Sequence, residues 1–336
     1  MRVRPFEIAG VTIRARSKKR FEIPIARIPS GANLAMPMVV AHGGRPGPVL
    51  LIDAALHGDE INGMDIILRV VHQVDPKNLA GTIIAVPIVN VFGFLYQSRY
   101  LPDRRDLNRS FPGSQHGSLA ARLAHQFTTQ AVDRCNVIID LHTGSLHRAN
   151  LPQIRANLND APTRELAAAF GAPIMMHSKP RDGSLRLLAQ QRGIPCLVYE
   201  AAEPHRFDSV AVNAGVDGVF RVLRHLGMYE REREPEPYSR KSLEIRSTSW
   251  IRAGRSGILL PEVELGEIVG KKQVLGTVTD ALGAHGTRLH APFDGVVLGM
   301  QLNPLVYRGD ALFHLAQVPE VGWSPVSSKE GEVSSE

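Results

Sequence analysis

Short apolar runs alternate with amphipathic stretches through the first two-thirds of this chain of 336 residues. Apolar runs of strand length occupy 48–56, 82–89, 136–141, 173–176 and 196–200. Apolar residues at helical spacing occupy 61–74, 118–132, 163–170, 184–193 and 208–227. Because strands and helices alternate in this way, the pattern predicts an α/β fold with a mixed, largely parallel sheet flanked by helices.

The pattern changes near residue 230. Residues 229–242 (YEREREPEPYSRKS) are charged and have almost no apolar content, which predicts a linker over 233–242 between two domains. Short strand-like segments separated by Gly and Pro follow, and they predict a small all-β domain over 243–318. The expected organisation is a domain over 1–232, the linker, the β-domain and a disordered polar tail over 319–336.

Composition excludes several classes of protein. A hydrophobic content of 43% and a charged content of 21% are typical of a soluble globular chain. The net charge is only +6 and aromatic residues are 6%, which offers little for base stacking, so no nucleic-acid partner is predicted. No apolar run approaches ~18 residues and no apolar leader is visible, so we expect no membrane contact and a cytoplasmic location. Cys135 and Cys196 each adjoin a strand and are predicted to be buried thiols.

The sequence HGDE places His57 and Glu60 three positions apart, where a buried strand gives way to a helix. Both side chains can converge on one ion at the carboxyl end of the sheet, where α/β proteins usually build sites. The sequence DLHTGS ends a second strand with Asp140 and His142. Two His and one Glu leave a fourth position open, which is a catalytic rather than a structural zinc arrangement. Asp140 is either a partner of a ligand histidine or a buried acid held by backbone groups.

Two further segments carry polar groups. Arg99 and Tyr100 precede PDRRDLNRSFPG, in which Asn108 and Arg109 form either a carboxylate-binding pair or part of an exposed basic loop. Glu200 ends the apolar strand CLVYE and is either a catalytic base or a capping acid. Tyr199 is expected to point to the opposite side of that strand.

Together, HGDE, RY…DLNRSFPG, DLHTGS and the strand that ends at Glu200 resemble the succinylglutamate desuccinylase/aspartoacylase family, within the zinc carboxypeptidase superfamily. The motifs occur in the same order as in that family, over nearly the whole chain. The resemblance implies one Zn²⁺ bound by His57, Glu60 and His142, with Glu200 as the general base. It implies further that Arg99 stabilises the oxyanion, and that Asn108 and Arg109 hold a substrate carboxylate. The segment from Arg99 is spaced as in bacterial members of the family. Arg104 and Arg105 lie nearby and are alternative candidates for the role of Arg99, but we expect both to face solvent.

The stretch 142–158 resembles a subgroup of deacylase-like members. Its polar residues either line the substrate pocket or form an ordinary surface loop; they are Arg148, Asn150, Gln153 and Arg155. If they line the pocket, the substrate carries more than one anionic or polar group.

The predicted β-domain resembles a lipoyl/biotinyl-like barrel sandwich. Carriers of that kind bear a modified Lys at an exposed hairpin, but the corresponding turn, residues 280–286 (DALGAHG), has none. We therefore predict a cap over the site or an oligomer contact instead of a carrier, and a homo-oligomer is possible.

The function predicted from the sequence is a zinc-dependent amidohydrolase that removes the acyl group from a small anionic N-acyl amino acid or related amine. The alternatives are a zinc carboxypeptidase acting on short peptides and a non-catalytic binding member of the same family. A binding member that has lost its activity usually lacks at least one catalytic residue, whereas this chain keeps the complete set: His57, Glu60, His142, Arg99 and Glu200.

Overall fold

A computed structural model of the protein describes residues 3–231 and 242–317. These residues form six α-helices: α1 (Asn62–Gln73), α2 (Val91–Leu95), α3 (Leu119–Gln130), α4 (Ala161–Phe170), α5 (Leu185–Gln191) and α6 (Ser209–His225). The strands of the first two-thirds are β1 (Phe6–Ile8), β2 (Val11–Ile13), β3 (Ser17–Arg27), β4 (Asn33–His42), β5 (Arg45–Ala54), β6 (Ala80–Val86), β7 (Val137–His142), β8 (Arg148–Ala156), β9 (Ile174–His177) and β10 (Cys196–Ala202). The strands that follow are β11 (Leu243–Ile245), β12 (Thr248–Arg252), β13 (Gly257–Pro261), β14 (Ile268–Val269), β15 (Val274–Thr279), β16 (Thr287–His290), β17 (Gly295–Gln301), β18 (Leu305–Val306) and β19 (Ala311–Gln317).

The centre of the main sheet is parallel, in the order β6-β5-β7-β10. Side chains alternate across these strands, so Leu50 and Ile52 face one hydrophobic core while Leu51 faces the other. Helices α1, α4 and α6 cover the first face, and α3 and α5 cover the second. Because the four strands run in the same direction, their carboxyl ends meet at one edge.

Antiparallel strands extend this parallel centre on both sides. Strands β4 and β3 continue it beyond β6, and β8, β17, β19 and β12 continue it beyond β10. The sheet is therefore mixed, as predicted. Outside its centre, β9 pairs in parallel with β8 and with β11, and the other pairings in the described residues are antiparallel. The sequence pattern missed β3 and β4, because β3 alternates charged and apolar residues at an exposed edge.

The segment after residue 242 is built from strands, as predicted, and it is joined to the main sheet. Strand β11 pairs with β9, and β17 pairs with β8. A second sheet, β16-β15-β13-β18, packs over a separate apolar cluster that includes Leu259, Val278 and Phe313. The predicted linker and tail lie outside the described residues, apart from Ser242, and the domain boundaries stay a prediction.

Several smaller predictions are confirmed. Cys135 and Cys196 are buried free thiols, and burial raises the pKa of Cys135 to about 12, so this thiol stays protonated. Tyr199 points away from the site, where its hydroxyl donates to the carbonyl of Ala211 and its ring packs against Phe170. Within the described part of the chain, no helix combines the length and apolar character needed to cross a membrane.

Candidate metal centre and active site

His57, Glu60 and His142 converge at the carboxyl edge of the parallel strands. His57 Nδ1 lies 2.8 Å from Glu60 Oε1, and His142 Nδ1 lies 2.6 Å from Glu60 Oε2. One ligand atom from each side chain falls within 4.8 Å of the others, and all three residues are buried. Two imidazoles and a carboxylate form a donor set that suits zinc, so the three residues fit a divalent cation.

The turn after β5 brings His57 and Glu60 into place. Gly58 is required there, since a Cβ on it would lie 1.9 Å from the backbone of Gly93. Ala55 adopts a positive φ of 50°, which is strained for a residue with a side chain. Glu60 precedes the first residue of α1 by two positions. The tight turn thus points both side chains at the strand edge.

Each ring nitrogen that does not face Glu60 faces another carboxylate. His142 Nε2 lies 2.8 Å from Asp140 Oδ1, within ion-pair distance. His57 Nε2 lies 3.2 Å from Asp106 Oδ1. Asp106 belongs to the DLNRS motif, but the sequence pattern alone did not predict a role for it. Such carboxylate partners fix the ring orientation and tautomer of ligand histidines.

Electrostatics in this cluster favour positive charge between the carboxylates. Burial by itself raises the pKa of Glu60, but His57 and His142 outweigh it and hold that pKa well below its usual range. Burial lowers the pKa of His142, yet Asp140 and Glu60 raise it well above its ordinary value. The same balance between burial and Glu60 raises the pKa of His57.

Arg99 contacts the His57–Glu60–His142 cluster. Its Nη1 is 3.2 Å from Glu60 Oε1, and its Nη2 is 2.9 Å from Asp106 Oδ2. The guanidinium also lines the cavity that the His57–Glu60–His142 cluster faces. Arg104 and Arg105 are exposed, as predicted for residues that face solvent.

Asn108 and Arg109 line the same cavity. The side-chain oxygen of Asn108 accepts from the backbone N–H of Leu185 at the start of α5, which leaves its NH₂ group available as a donor. Arg109 Nη1 donates to the carbonyl of Asn108, and Arg109 is exposed. Both residues are thus positioned to present N–H donors to an anionic group.

Glu200 enters the cavity from β10, next to His142 in the register of β7. Asn150 and Arg155, which were predicted to bind substrate, both contact its Oε2, at 2.7 Å and 3.0 Å. They lie on β8, a strand that was not predicted because polar residues along it suggested a loop. Gln153 on the same strand is fully buried and is not among the residues that line the cavity.

The cavity has a volume of about 690 Å³ and a strongly basic lining. Arg148 lines it, with its guanidinium 5.3 Å from the ring centre of Trp250. Trp250 and Arg252 come from β12, so the C-terminal strands form part of the wall. Trp250 and Arg252 were not predicted as site residues, because their segment has only a strand pattern. Three further residues of the lining around α5 were also not predicted; they are Lys179, Arg181 and Arg186.

The mixed sheet, the flanking helices and the His-Glu-His cluster at the strand ends define an α/β architecture with a candidate metal site at its carboxyl edge. A profile of the succinylglutamate desuccinylase/aspartoacylase catalytic domain matches residues 46–226, which is more than half of the chain. The chain belongs to this family of deacylases, and the prediction of a hydrolase that acts on amide bonds is confirmed at that level.

Individual relatives agree with this assignment. The N-alpha-acetyl-L-2,4-diaminobutyric acid deacetylase of Halomonas elongata is 28% identical over 311 residues, covering 89% of this chain and 91% of the relative. The succinylglutamate desuccinylase/aspartoacylase structure from Rhodobacter sphaeroides has a TM-score of 0.81 and 26% identity, covering 90% of this chain and 96% of its own. The ectoine utilization protein EutE from Ruegeria pomeroyi shares the fold, with a TM-score of 0.80 and 21% identity, covering 89% of this chain and 95% of its own.

Proposed function

We propose that this protein is a zinc-dependent amidohydrolase that removes the acyl group from a small anionic N-acyl amino acid or related amine. One observation carries the proposal: the His57–Glu60–His142 cluster, Glu200 and Arg99 all face a single basic cavity. A carboxylate base and a guanidinium beside a possible metal site are the groups that amide hydrolysis requires.

His57, Glu60 and His142 are the residues that would hold the ion. A divalent cation held there supplies Lewis acidity, which acidifies water and polarises a carbonyl group. Asp106 and Asp140 orient the two histidines through the ring nitrogens opposite Glu60. The open cavity beside the cluster leaves room for substrate.

Glu200 and Arg99 perform the proton and charge chemistry. Glu200 takes a proton from the attacking water and returns it to the amine nitrogen, because an amide nitrogen leaves only once it is protonated. Negative charge gathers on the former carbonyl oxygen as the water attacks, and the Arg99 guanidinium stabilises it. The C–N bond then breaks, giving a carboxylate and a free amine.

The substrate's charge follows from the cavity wall. Six cations of the lining have no carboxylate within ion-pair distance in residues 3–231 and 242–317; they are Arg109, Arg148, Lys179, Arg181, Arg186 and Arg252. Burial lowers the pKa of Arg148 and of Arg186, because desolvation disfavours a charged guanidinium. A substrate with two or more anionic groups would neutralise such a wall, with Asn108 and Arg109 holding one carboxylate.

The C-terminal strands are proposed to form a barrel-sandwich-like module that narrows access to the cavity. Trp250 and Arg252 support this role, since both lie on β12 and line the wall. The turn at 280–286 is exposed and has no Lys, which agrees with a module that is not a carrier. A cytoplasmic location and any homo-oligomer stay predictions from the sequence.

The test is release of free amine from a panel of N-acyl amino acids and short peptides, with and without a chelator. The panel pairs neutral acyl groups with acyl groups that end in a carboxylate, on both acidic and neutral amino acids. Chelator-sensitive release from N-acyl amino acids supports the proposal. Release only from peptides with a free terminal carboxylate would move the protein to the carboxypeptidase alternative. No release from any compound by zinc-loaded protein contradicts the proposed activity on these classes.

A further inference from the structure

Two side chains of β8 hold the same oxygen of Glu200. Asn150 Nδ2 donates to Oε2 at 2.7 Å, and Arg155 Nη2 lies 3.0 Å from that same atom. No group in the described residues bonds to Oε1. One carboxylate oxygen is therefore fixed by the protein, while the other is available for proton transfer.

The pairing of β8 with β10 sets up this arrangement. Val198 lies opposite Arg155 and Glu200 lies opposite Gln153, and the register then shifts before Ala202 pairs with Asn150. Ala202 adopts a positive φ of 59° at this irregularity. Irregularities of this kind redirect side chains next to active sites. Here Asn150 and Arg155 approach Glu200 from both sides of its partner position on β8.

Two C-terminal strands, β17 and β19, continue the sheet on the side of Asn150 away from β10. Gly299 on β17 pairs with Asn150, and a Cβ on Gly299 would lie 2.8 Å from Asn150 Oδ1. His314 on β19 pairs in turn with Gly299 and is buried. The absence of a side chain at Gly299 thus leaves space in which the Asn150 amide can turn its NH₂ group toward Glu200.

We infer that Asn150 and Arg155 are positioning residues for the general base, and that Gly299 of the C-terminal strands keeps Asn150 in place. The inference rests on the proposed role of Glu200 in proton transfer. It gives the C-terminal region a part in catalysis beyond narrowing the cavity. It also replaces the expectation that Asn150 and Arg155 bind substrate.

Gly299→Ala is the sharpest test, because it lies outside the cavity lining and adds one methyl group whose nearest neighbours are Asn150 Oδ1 at 2.8 Å and the Ala149 carbonyl oxygen at 3.3 Å. With a substrate found in the panel above, kcat should fall about 10- to 100-fold, the range expected for losing a hydrogen bond to a charged group. KM should change less than about threefold, because no substrate contact is removed. Gly254→Ala is the matched control, since a Cβ there meets nothing within 4 Å and both constants should be unchanged.

Arg155 is tested with a conservative pair of variants. Arg155→Met should lower kcat by about 10- to 100-fold, and Arg155→Lys should recover part of that loss because it restores a charged donor. If Arg155→Met instead raises KM about 10-fold or more at constant kcat, Arg155 binds substrate and the inference is wrong.

A crystal structure of Gly299→Ala separates this inference from the proposed activity, since it needs no substrate. We expect Asn150 to turn away and Glu200 to occupy more than one rotamer. That result in a protein with no amidase activity would keep the positioning role and reject the proposed function. A Glu200 carboxylate that keeps its single position after Asn150 has moved would overturn the inference.

Discussion

His142 Nδ1 lies 2.6 Å from Glu60 Oε2, although 82 positions separate the two residues in the chain. The contact exists because β5 and β7 are neighbours in the parallel centre of the sheet, so the segments that follow them meet at one edge. Arg99 and Asp106 close the cluster from a third segment. Every proposal for this site depends on that convergence.

Replacing His142 with Ala should abolish stoichiometric metal binding. Purified protein loaded with Zn²⁺ is expected to hold about one ion per chain, and the variant close to none, because a three-residue site loses a ligand. Elemental analysis after dialysis measures this. His225→Ala, an exposed histidine at the end of α6, is the control and should keep its metal. A His142→Ala protein that retains one tightly bound ion would remove His142 from the site.

Asp106→Asn tests the carboxylate that faces His57. The substitution keeps the shape but removes the negative charge that faces His57 Nε2. Metal affinity should weaken about 10- to 100-fold, as is usual when such a partner is lost. Competition with a chromophoric chelator gives the affinity directly. Unchanged affinity would mean that Asp106 serves only to hold Arg99.

Arg148→Met should separate substrate binding from chemistry. Because Arg148 lines the cavity but does not contact Glu200, KM for an anionic substrate should rise about 10-fold while kcat stays within about threefold. The same variant should discriminate less between charged and neutral acyl groups. The exposed Arg288 on β16 provides the control, since Arg288→Met should leave both constants unchanged. A fall in kcat at constant KM would contradict this assignment.

His314 should make the fold sensitive to acid. Burial, with Arg155 and Arg148 nearby, lowers the pKa of His314 to about 3, whereas an unfolded histidine titrates near 6.5. Between these values the unfolded chain binds the extra proton, so stability is lost as pH falls below about 6.5. From pH 7 to pH 5 this one group should cost about 2 kcal/mol of unfolding free energy.

Denaturant unfolding at several pH values measures that cost. His314→Gln should show a shallower loss of stability between pH 7 and pH 5 than the unmodified protein, whatever its absolute stability. His285→Gln removes an exposed histidine and should leave the slope unchanged. Parallel slopes for the unmodified protein and His314→Gln would show that His314 does not titrate in this way.

Local patterns predicted the elements around the site better than the sheet that carries them. Strands β5, β7 and β10 are apolar runs. That pattern alone was enough to place the residues that follow or end them, His57, His142 and Glu200, at one edge of the sheet. Strand β8 could not, because its polar residues face Glu200 and the cavity instead of solvent. It pairs with β10, some 50 positions away, and with β17, some 150 positions away, and such long-range pairing leaves no local periodicity.

The most direct measurement is amine release and zinc content of Glu200→Gln, determined on the same sample. The account predicts that the variant keeps about one zinc per chain and that release falls by roughly 10²- to 10⁴-fold, the usual contribution of a general base. Glu203→Gln, a nearby carboxylate that does not line the cavity, should behave like the unmodified protein. A zinc-loaded Glu200→Gln protein that releases amine at the unmodified rate would contradict the central claim that Glu200 moves the proton.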